Sequence, residues 1–191
     1  MNGSFRLATV DDGDAILDIY APYVSDTAIS LEFKPPSAAE FRERIRSIAG
    51  FYPYLVHESD GKIDGYAYAT RHAEREGYRY NVTVSVYLRP ESRRAGIGRG
   101  LYSRLLFLLR EQGVVNAYAV ITMPNDASVG FHESFGFDSA YAMKRSGWKF
   151  GEWRDILWME KRLRDCDGSP GELRGINELR FDLNESFYDS V

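Results

Sequence analysis

Apolar residues recur along this chain in two rhythms, one near every third or fourth position and one at every second, and the switches between them mark its elements. "SFRLATV" at 4 to 10 predicts a short first strand. "VDDGDAILDIYAPYV" brings Ile16, Ile19, Tyr20 and Tyr23 onto one helical face behind an acidic first turn. In "KPPSAAEFRERIRSI" the prolines cannot continue a helix, and Ser37 followed by Glu40 is a capping box that opens a second one. "YPYLVHES", "DGKIDGYAYATRH" and "YRYNVTVSVYL" are β-branched and aromatic runs, with the turn pair Asp60-Gly61 between the first two, and predict three successive antiparallel strands. A leucine-rich helix follows over 95 to 113, closed by Gly113, and then a strand over 115 to 123. A short helix runs from an N-cap at Asn125 to Gly136, and strands near 138 to 147 and 152 to 162 complete the series. This order predicts a mixed α+β domain over 1 to 163, not a regular βαβ repeat.

After Leu163 the pattern weakens. "RDCDGSPGELRG" is polar and carries Pro170, as a linker would. Ile176, Leu179, Leu183 and Phe187 in the last stretch fit a weak amphipathic helix, while Leu179, Phe181 and Leu183 alternate as a strand would. Residues 164 to 191 are therefore set apart as a linker and C-terminal tail.

Composition narrows the classes open to the protein. With 191 residues, 44% of them hydrophobic, the chain can bury its own core. The 28 acidic and 24 basic residues give a net charge of -4, which is no footprint for nucleic acid. Cys166 is the only cysteine, so no intramolecular disulfide forms, and neither a C-x-x-C pair nor an H-E-x-x-H run offers a metal site. The N-terminus lacks the apolar region of a signal peptide, and no apolar stretch reaches membrane-spanning length. A protein of a reducing, cytoplasmic compartment is expected, with no metal, nucleic acid or membrane among its partners.

One segment runs against this acidic background. "RPESRRAGIGRG", opening at Arg89, holds four arginines and three glycines between a strand and the leucine-rich helix. Unpaired N–H groups and partial positive charge at a helix N-terminus attract anions, and glycines let a bulky phosphate approach the backbone. No G-K-[ST] follows, so this is not a Walker A loop, and "GIGRG" lacks the third glycine of the dinucleotide fingerprint.

What remains is R-x-x-G-x-G at Arg93, Gly96 and Gly98, which resembles the acetyl-CoA pyrophosphate loop of the GNAT superfamily of N-acetyltransferases. "LEFKPPS" at 31 to 37, "YPYLV" at 52 to 56, "SVYL" at 85 to 88, "PNDASVGFHESFGF" at 124 to 137 and "GWKFGEWRDILWMEK" at 147 to 161 are similar to phosphinothricin N-acetyltransferases and related amino-acid N-acetyltransferases. The resemblance implies a GNAT-like, mostly antiparallel central sheet with helices on both faces, acetyl-CoA as acetyl donor, a small-molecule amine acceptor, and a homodimer.

It also implies roles for particular residues. Backbone groups of Val86, Tyr87 and Leu88 would pair with the pantetheine arm and the acetyl group. The amides of Arg94, Ala95, Gly96, Ile97, Gly98 and Arg99, with Arg93 beside them, would bind the pyrophosphate, and Asn125 and Ser128 would meet the cofactor from the facing helix. His132, one turn beyond Ser128, would protonate the leaving thiolate. Alternation places Asn81, Thr83, Ser85 and Tyr87 on the cleft side of their strand. Phosphinothricin-type enzymes carry a glutamate, their presumed general base, where this chain has Thr83. Either a water held by Thr83 and Ser85 relays the proton to Glu32, Glu74, Glu76 or His132, or the chemistry has weakened. Leu31, Glu32, Glu74, Arg75, Tyr78 and Trp153 are expected around the acceptor, with Arg75 facing its carboxylate.

The expected activity is acetyl transfer to the primary amine of an amino acid or its analogue, of the phosphinothricin or methionine-sulfoximine type. Acetylation of a peptide or protein N-terminus, or acyl-CoA binding without turnover, stands as the alternative.

Overall fold

The computed structural model describes residues 3 to 185. Its described strands form one seven-stranded sheet: β1 (Gly3–Leu7), β2 (Tyr54–Ser59), β3 (Lys62–Arg71), β4 (Asn81–Leu88), β5 (Asn116–Thr122), β6 (Asp138–Lys149) and β7 (Glu152–Arg162). Their spatial order is β1-β2-β3-β4-β5-β7-β6, and every neighbouring pair is antiparallel except β4 with β5. The helices are α1 (Gly13–Ser25), α2 (Ala38–Ala49), α3 (Ile97–Gln112) and α4 (Asp126–Glu133). The fold is thus α+β, as the element pattern predicts.

Period-two alternation divides the sheet into two unlike faces. On one, Ala67 and Ala69 of β3 and Val82 and Val84 of β4 are small enough for α3 to lie close, and its Leu101, Leu105, Leu108 and Leu109 are buried there. On the other, Tyr54 of β2 and Tyr66 of β3 pack under Ile16, Ile19 and Tyr20 of α1 and Phe41 and Ile45 of α2. The predicted capping box opens α2, with the Glu40 N–H donating to Ser37 Oγ and the Ser37 N–H to Glu40 Oε2. Helix α1 begins three residues later than the apolar pattern predicts, after a 3-10 turn at Val10–Asp12 held by Asp12 Oδ2 on the Thr9 N–H. On its inner face Val24 is buried, and Tyr23 is turned partly outward.

Among the described residues of the tail, neither a regular helix nor a strand forms. Residues 171 to 185 run back along α3 as an extended strap with one 3-10 turn at Ile176–Glu178. Ile176 and Leu183 are buried in the α3-side core. Phe187 lies outside the described residues. Among those described, no helix is long and apolar enough to cross a membrane.

Candidate active site

The glycine loop follows β4 and ends where α3 begins. Gly96 adopts a left-handed conformation at φ 81° and Arg94 does so at φ 63°, which turns the chain sharply into the helix. The first helical bond runs from the Gly100 N–H to the Gly96 carbonyl (2.9 Å), and among the described residues no backbone carbonyl accepts from the six N–H groups of residues 94 to 99. At Gly98 a Cβ would stand 3.1 Å from Leu88 Cδ1, so the absent side chain keeps the backbone open there. The guanidiniums of Arg93 and Arg99 lie over the rings of Tyr23 and Phe135 (5.6 and 5.0 Å to the centroids). A bare run of donors at a helix N-terminus, with three arginines around it, suits a multiply charged anion such as a diphosphate.

Beside the loop the sheet opens. β4 and β5 pair only through Asn81, Val82 and Thr83 against Asn116, Ala117 and Tyr118, and then diverge. The Arg89 N–H donates to Asp64 O (2.8 Å) and the His72 N–H to Asn81 O (3.1 Å), so odd-numbered β4 residues turn their main-chain groups to β3. Val84, Val86 and Leu88 therefore face the gap. The Tyr23 hydroxyl takes both groups of Leu88, donating to its carbonyl at 2.7 Å and accepting from its N–H at 3.3 Å. Tyr87 is held in the pairing with Tyr66. Of the three sequence candidates on this strand, Val86 is the one with open main-chain groups in the cleft.

That cleft, of about 80 Å³, is lined by Ser85, Val86, Ala119 and Ile121 from the strands and by Asn125, Ser128 and His132 from α4. Asn125 caps its helix, its Oδ1 accepting from the Ser128 N–H at 3.2 Å, while also facing the cleft. His132 is buried against Tyr102, Phe131 and Phe137, with ring centroids 5.3 to 5.5 Å away. Its Nδ1 lies 2.7 Å from the Ser128 carbonyl, which can only accept, so Nδ1 carries the proton and Nε2 keeps its lone pair. Burial pulls the imidazole below its ordinary pKa, against the opposing pull of that carbonyl. His132 is thus neutral around pH 7 and poised to take a proton before it can give one.

The opposite face holds a larger hollow of about 580 Å³ between α1, α2 and the sheet. Tyr20, Tyr54, Tyr66 and Tyr68 wall it, with Arg71 and Glu74 among its charged lining residues. Glu32 reaches in from the "LEF" loop, accepting from the Tyr20 hydroxyl (2.9 Å) and from both terminal nitrogens of Arg44 (2.6 and 3.1 Å). Burial alone would raise the Glu32 pKa, but Arg44 and Tyr20 hold it below its ordinary value. The Tyr68 hydroxyl shares a hydrogen bond with Ser85 of β4, and burial raises its pKa against the lowering effect of that bond. Thr83 sits directly across from Thr70, which lines the hollow, and two residues from Ser85, which lines the cleft. Its Oγ1 is 3.4 Å from His72 Nδ1.

Other sequence candidates lie apart. Arg75 and Tyr78 are exposed around the 3-10 turn at Glu76–Tyr78, and Glu76 pairs with Arg79 instead of entering the hollow. Trp153 is exposed on the β6–β7 hairpin, edge-on to Trp148 at 5.3 Å. None of these lines either hollow, because the β3–β4 connection turns outward in its 3-10 turn. Leu31 packs beneath the Glu32 loop against Gly147, where a Cβ would come within 2.7 Å of it. Arg44, Arg71, His72 and the tyrosine wall escape sequence reasoning, since no motif carries them. Only the alternation of "GYAYAT", which puts Tyr66 and Tyr68 on one face, signals the wall.

A sheet splayed between β4 and β5 with a bare-amide helix N-terminus at its mouth defines an acyltransferase scaffold. The chain belongs to the acetyltransferase (GNAT) domain family, whose model matches residues 5–158. It is 33% identical over 174 residues to a phosphinothricin N-acetyltransferase of Streptomyces viridochromogenes, covering 91% of this chain and 94% of that one. An L-amino acid N-acyltransferase of Escherichia coli is 37% identical over 164 residues, 84% and 94% of the two chains. Among solved structures, a phosphinothricin acetyltransferase from Sinorhizobium meliloti in complex with acetyl-CoA superposes with a TM-score of 0.81 at 36% identity, over 85% of this chain and 89% of that one.

Proposed function

We propose that the protein is an acetyl-CoA-dependent N-acetyltransferase acting on the primary amine of an amino acid or amino-acid analogue of the phosphinothricin or methionine-sulfoximine kind. The observation that carries this reading is the pairing of a bare-amide loop with a cleft between β4 and β5, with a tyrosine-walled hollow on the other face of the same sheet. Relatives named for phosphinothricin, L-amino acids and methionine sulfoximine support the acceptor class.

When bound, acetyl-CoA supplies the thioester carbon that an amine attacks and the thiolate that leaves. The residues that would hold it are Arg93 to Arg99 at the diphosphate, Val86 along the pantetheine, and Asn125 and Ser128 from α4. The Val86 N–H, open in the cleft, is the donor for charge developing on the carbonyl oxygen. His132 Nε2 takes the proton that the attacking nitrogen sheds and hands it to the departing sulfur, which a neutral, unprotonated Nε2 allows. Arg71 faces the acceptor carboxylate from the rim of the hollow, and the Glu32–Arg44 pair shapes its floor.

Two further features complete the reading. The exposed apolar side chains Tyr141, Met143, Trp148, Phe150 and Trp153 gather on β6 and β7, and a second copy of the chain is the partner we assign to them. Sedimentation should give the mass of a dimer. A single cysteine is in keeping with a reducing, cytoplasmic setting.

The deciding experiment is thiol release from acetyl-CoA across a panel of amino acids and analogues, with N-terminal peptides as competitors. Turnover with free amino acids and none with peptides is the expected result. Tight acetyl-CoA binding with no thiol release for any amine would return the protein to the class of acyl-CoA binders.

A further inference from the structure

An α-amine arrives as an ammonium ion and cannot attack until a proton is taken from it. The carboxylates near the hollow are poor candidates for that task. Glu32 is held ionised and weakly basic between Arg44 and Tyr20, Glu76 is exposed and paired with Arg79, and Glu74 sits among exposed residues. Of the chain's three histidines, His57 is buried against Asp64 beside β1, and His132 belongs to α4 on the cleft side. The third, His72, is the imidazole that meets Thr83.

We propose that His72, reached through the Thr83 hydroxyl, receives the proton of the acceptor ammonium. This rests on the acetyl-transfer reading above. His72 immediately follows β3 and is pinned by its own N–H on the Asn81 carbonyl at 3.1 Å. Its ring lies over Tyr118 of β5 (4.5 Å) and edge-on to Trp158 of β7 (5.5 Å), which turns Nδ1 toward Thr83 Oγ1 at 3.4 Å. Contacts of this kind are long before substrate binds and tighten in the complex. Thr83 is paired with Thr70 of the tyrosine hollow and lies two residues before Ser85 of the cleft on the same face of β4, and we place its oxygen beside the path of a nitrogen passing between the two.

The step is a paired proton shift. Thr83 Oγ1 accepts a proton from the ammonium while its own hydroxyl proton passes to His72 Nδ1. The amine is left with its lone pair, Thr83 is again a hydroxyl, and His72 becomes an imidazolium. The half-buried ring then gives up one proton to water and returns to the tautomer with Nδ1 free. The groups around it are Asn81 and Thr83 of β4, Tyr118 of β5, Trp158, Glu160 and Arg162 of β7 with Tyr141 of β6 stacked on Trp158, and Arg71 and Glu74 of its own segment. The two carboxylates, Glu160 and Glu74, are matched in number by the two guanidiniums, Arg162 and Arg71.

The test compares wild type, His72→Gln, Thr83→Val and the double variant His72→Gln/Thr83→Glu over roughly pH 5.5 to 9, a range that spans imidazole titration. Thiol release with an accepted amino acid gives kcat/KM, and calorimetry gives acetyl-CoA affinity. Wild type should lose kcat/KM on the acid side with unit slope. His72→Gln and Thr83→Val should each lose about a hundredfold and flatten that limb, with acetyl-CoA affinity unchanged. The double variant should recover at least about tenfold over His72→Gln, because a carboxylate at position 83 takes the proton directly. A glutamine that merely loosened the packing on Tyr118 and Trp158 would not be rescued so. If His72→Gln also lost acetyl-CoA binding, Thr83→Val, which leaves that packing intact, decides alone. Turnover by wild type with the same acid limb retained in Thr83→Val and His72→Gln would overturn the inference and leave acetyl transfer standing. Absence of thiol release by wild type with every amine would overturn both.

Discussion

Gly98 is the residue where the loop's backbone and its prospective ligand leave least room. A valine there would press on Leu88 Cδ1 at 3.1 Å and project its branch among the unpaired amides of residues 94 to 99. Gly98→Val should weaken acetyl-CoA by at least about tenfold, or roughly 1.4 kcal/mol. Equal affinities by calorimetry would sink the phosphate cradle. His132 makes a different prediction, because its neutral state matters to stability as well as to chemistry. Burial depresses its folded pKa, so the unfolded chain, near the reference value of about 6.5, binds the extra proton first. The stability it contributes is present above that pH and is lost as pH falls through the folded value. His132→Gln should remove this part of the acid slope in chemical denaturation and lower kcat with little change in acetyl-CoA affinity. An unchanged kcat would make the histidine a packing residue. The paired strand positions of Thr83 and Ser85 were legible from "NVTVSVYL" alone, since alternation is a local property. His72 was not, because its partner is brought to it by strand pairing and its ring is oriented by β5 and β7.

At the level of elements, caps and alternation predicted helices and strands well, and connections poorly. The "LEF" segment shows why. It has no regular structure of its own, and what places it is the buried Lys149, whose Nζ donates to the Val24 carbonyl at the end of α1 (2.7 Å) and to Ser30 O (2.6 Å). Ser30 Oγ then bonds the Tyr20 hydroxyl (2.8 Å), which bonds Glu32. A lysine near the end of β6 thereby holds the loop that floors the tyrosine hollow, more than 100 residues away in sequence. Periodicity cannot reveal such a tie. Lys149→Met keeps the apolar stem and removes the donors, leaving two buried carbonyls without their bond. It should raise the acceptor KM severalfold while acetyl-CoA affinity stays unchanged, because the glycine loop is built on other elements. If KM for the acceptor did not move, the clamp has no bearing on the site.

For the whole molecule, the central question is what the residues after β7 do for the fold. Composition reads them as linker and tail, yet the described part is tied down along its length. Gln112 at the end of α3 donates to the carbonyls of Phe51 (2.7 Å) and Arg174 (2.8 Å), and the Ile176 N–H donates to Phe51 O (2.9 Å). Buried Arg104 donates to the Leu183 carbonyl from over the Phe5 ring, and Asn184 bonds both the N–H and the carbonyl of Phe5 on β1. The strap thus joins the middle of α3 to the edge strand, covering a strand edge that would otherwise be open to pairing. Its apolar residues were visible in sequence, but their spacing matches neither period because they follow the groove of another element. Ile176→Ala removes a fully buried side chain and should cost about 2 to 4 kcal/mol, lowering Tm by roughly 4 to 16 °C for a chain of this size. Acetyl-CoA affinity measured well below Tm should not change, since the strap meets α3 away from its N-terminus. Deletion of residues 171 to 191 should cost more than Ile176→Ala, because it also removes the Leu183 carbonyl from Arg104 and the Arg174 carbonyl from Gln112. A truncated chain that melted with the wild type would show the strap to be passive covering, and an Ile176→Ala variant with wild-type Tm would remove its core from the account.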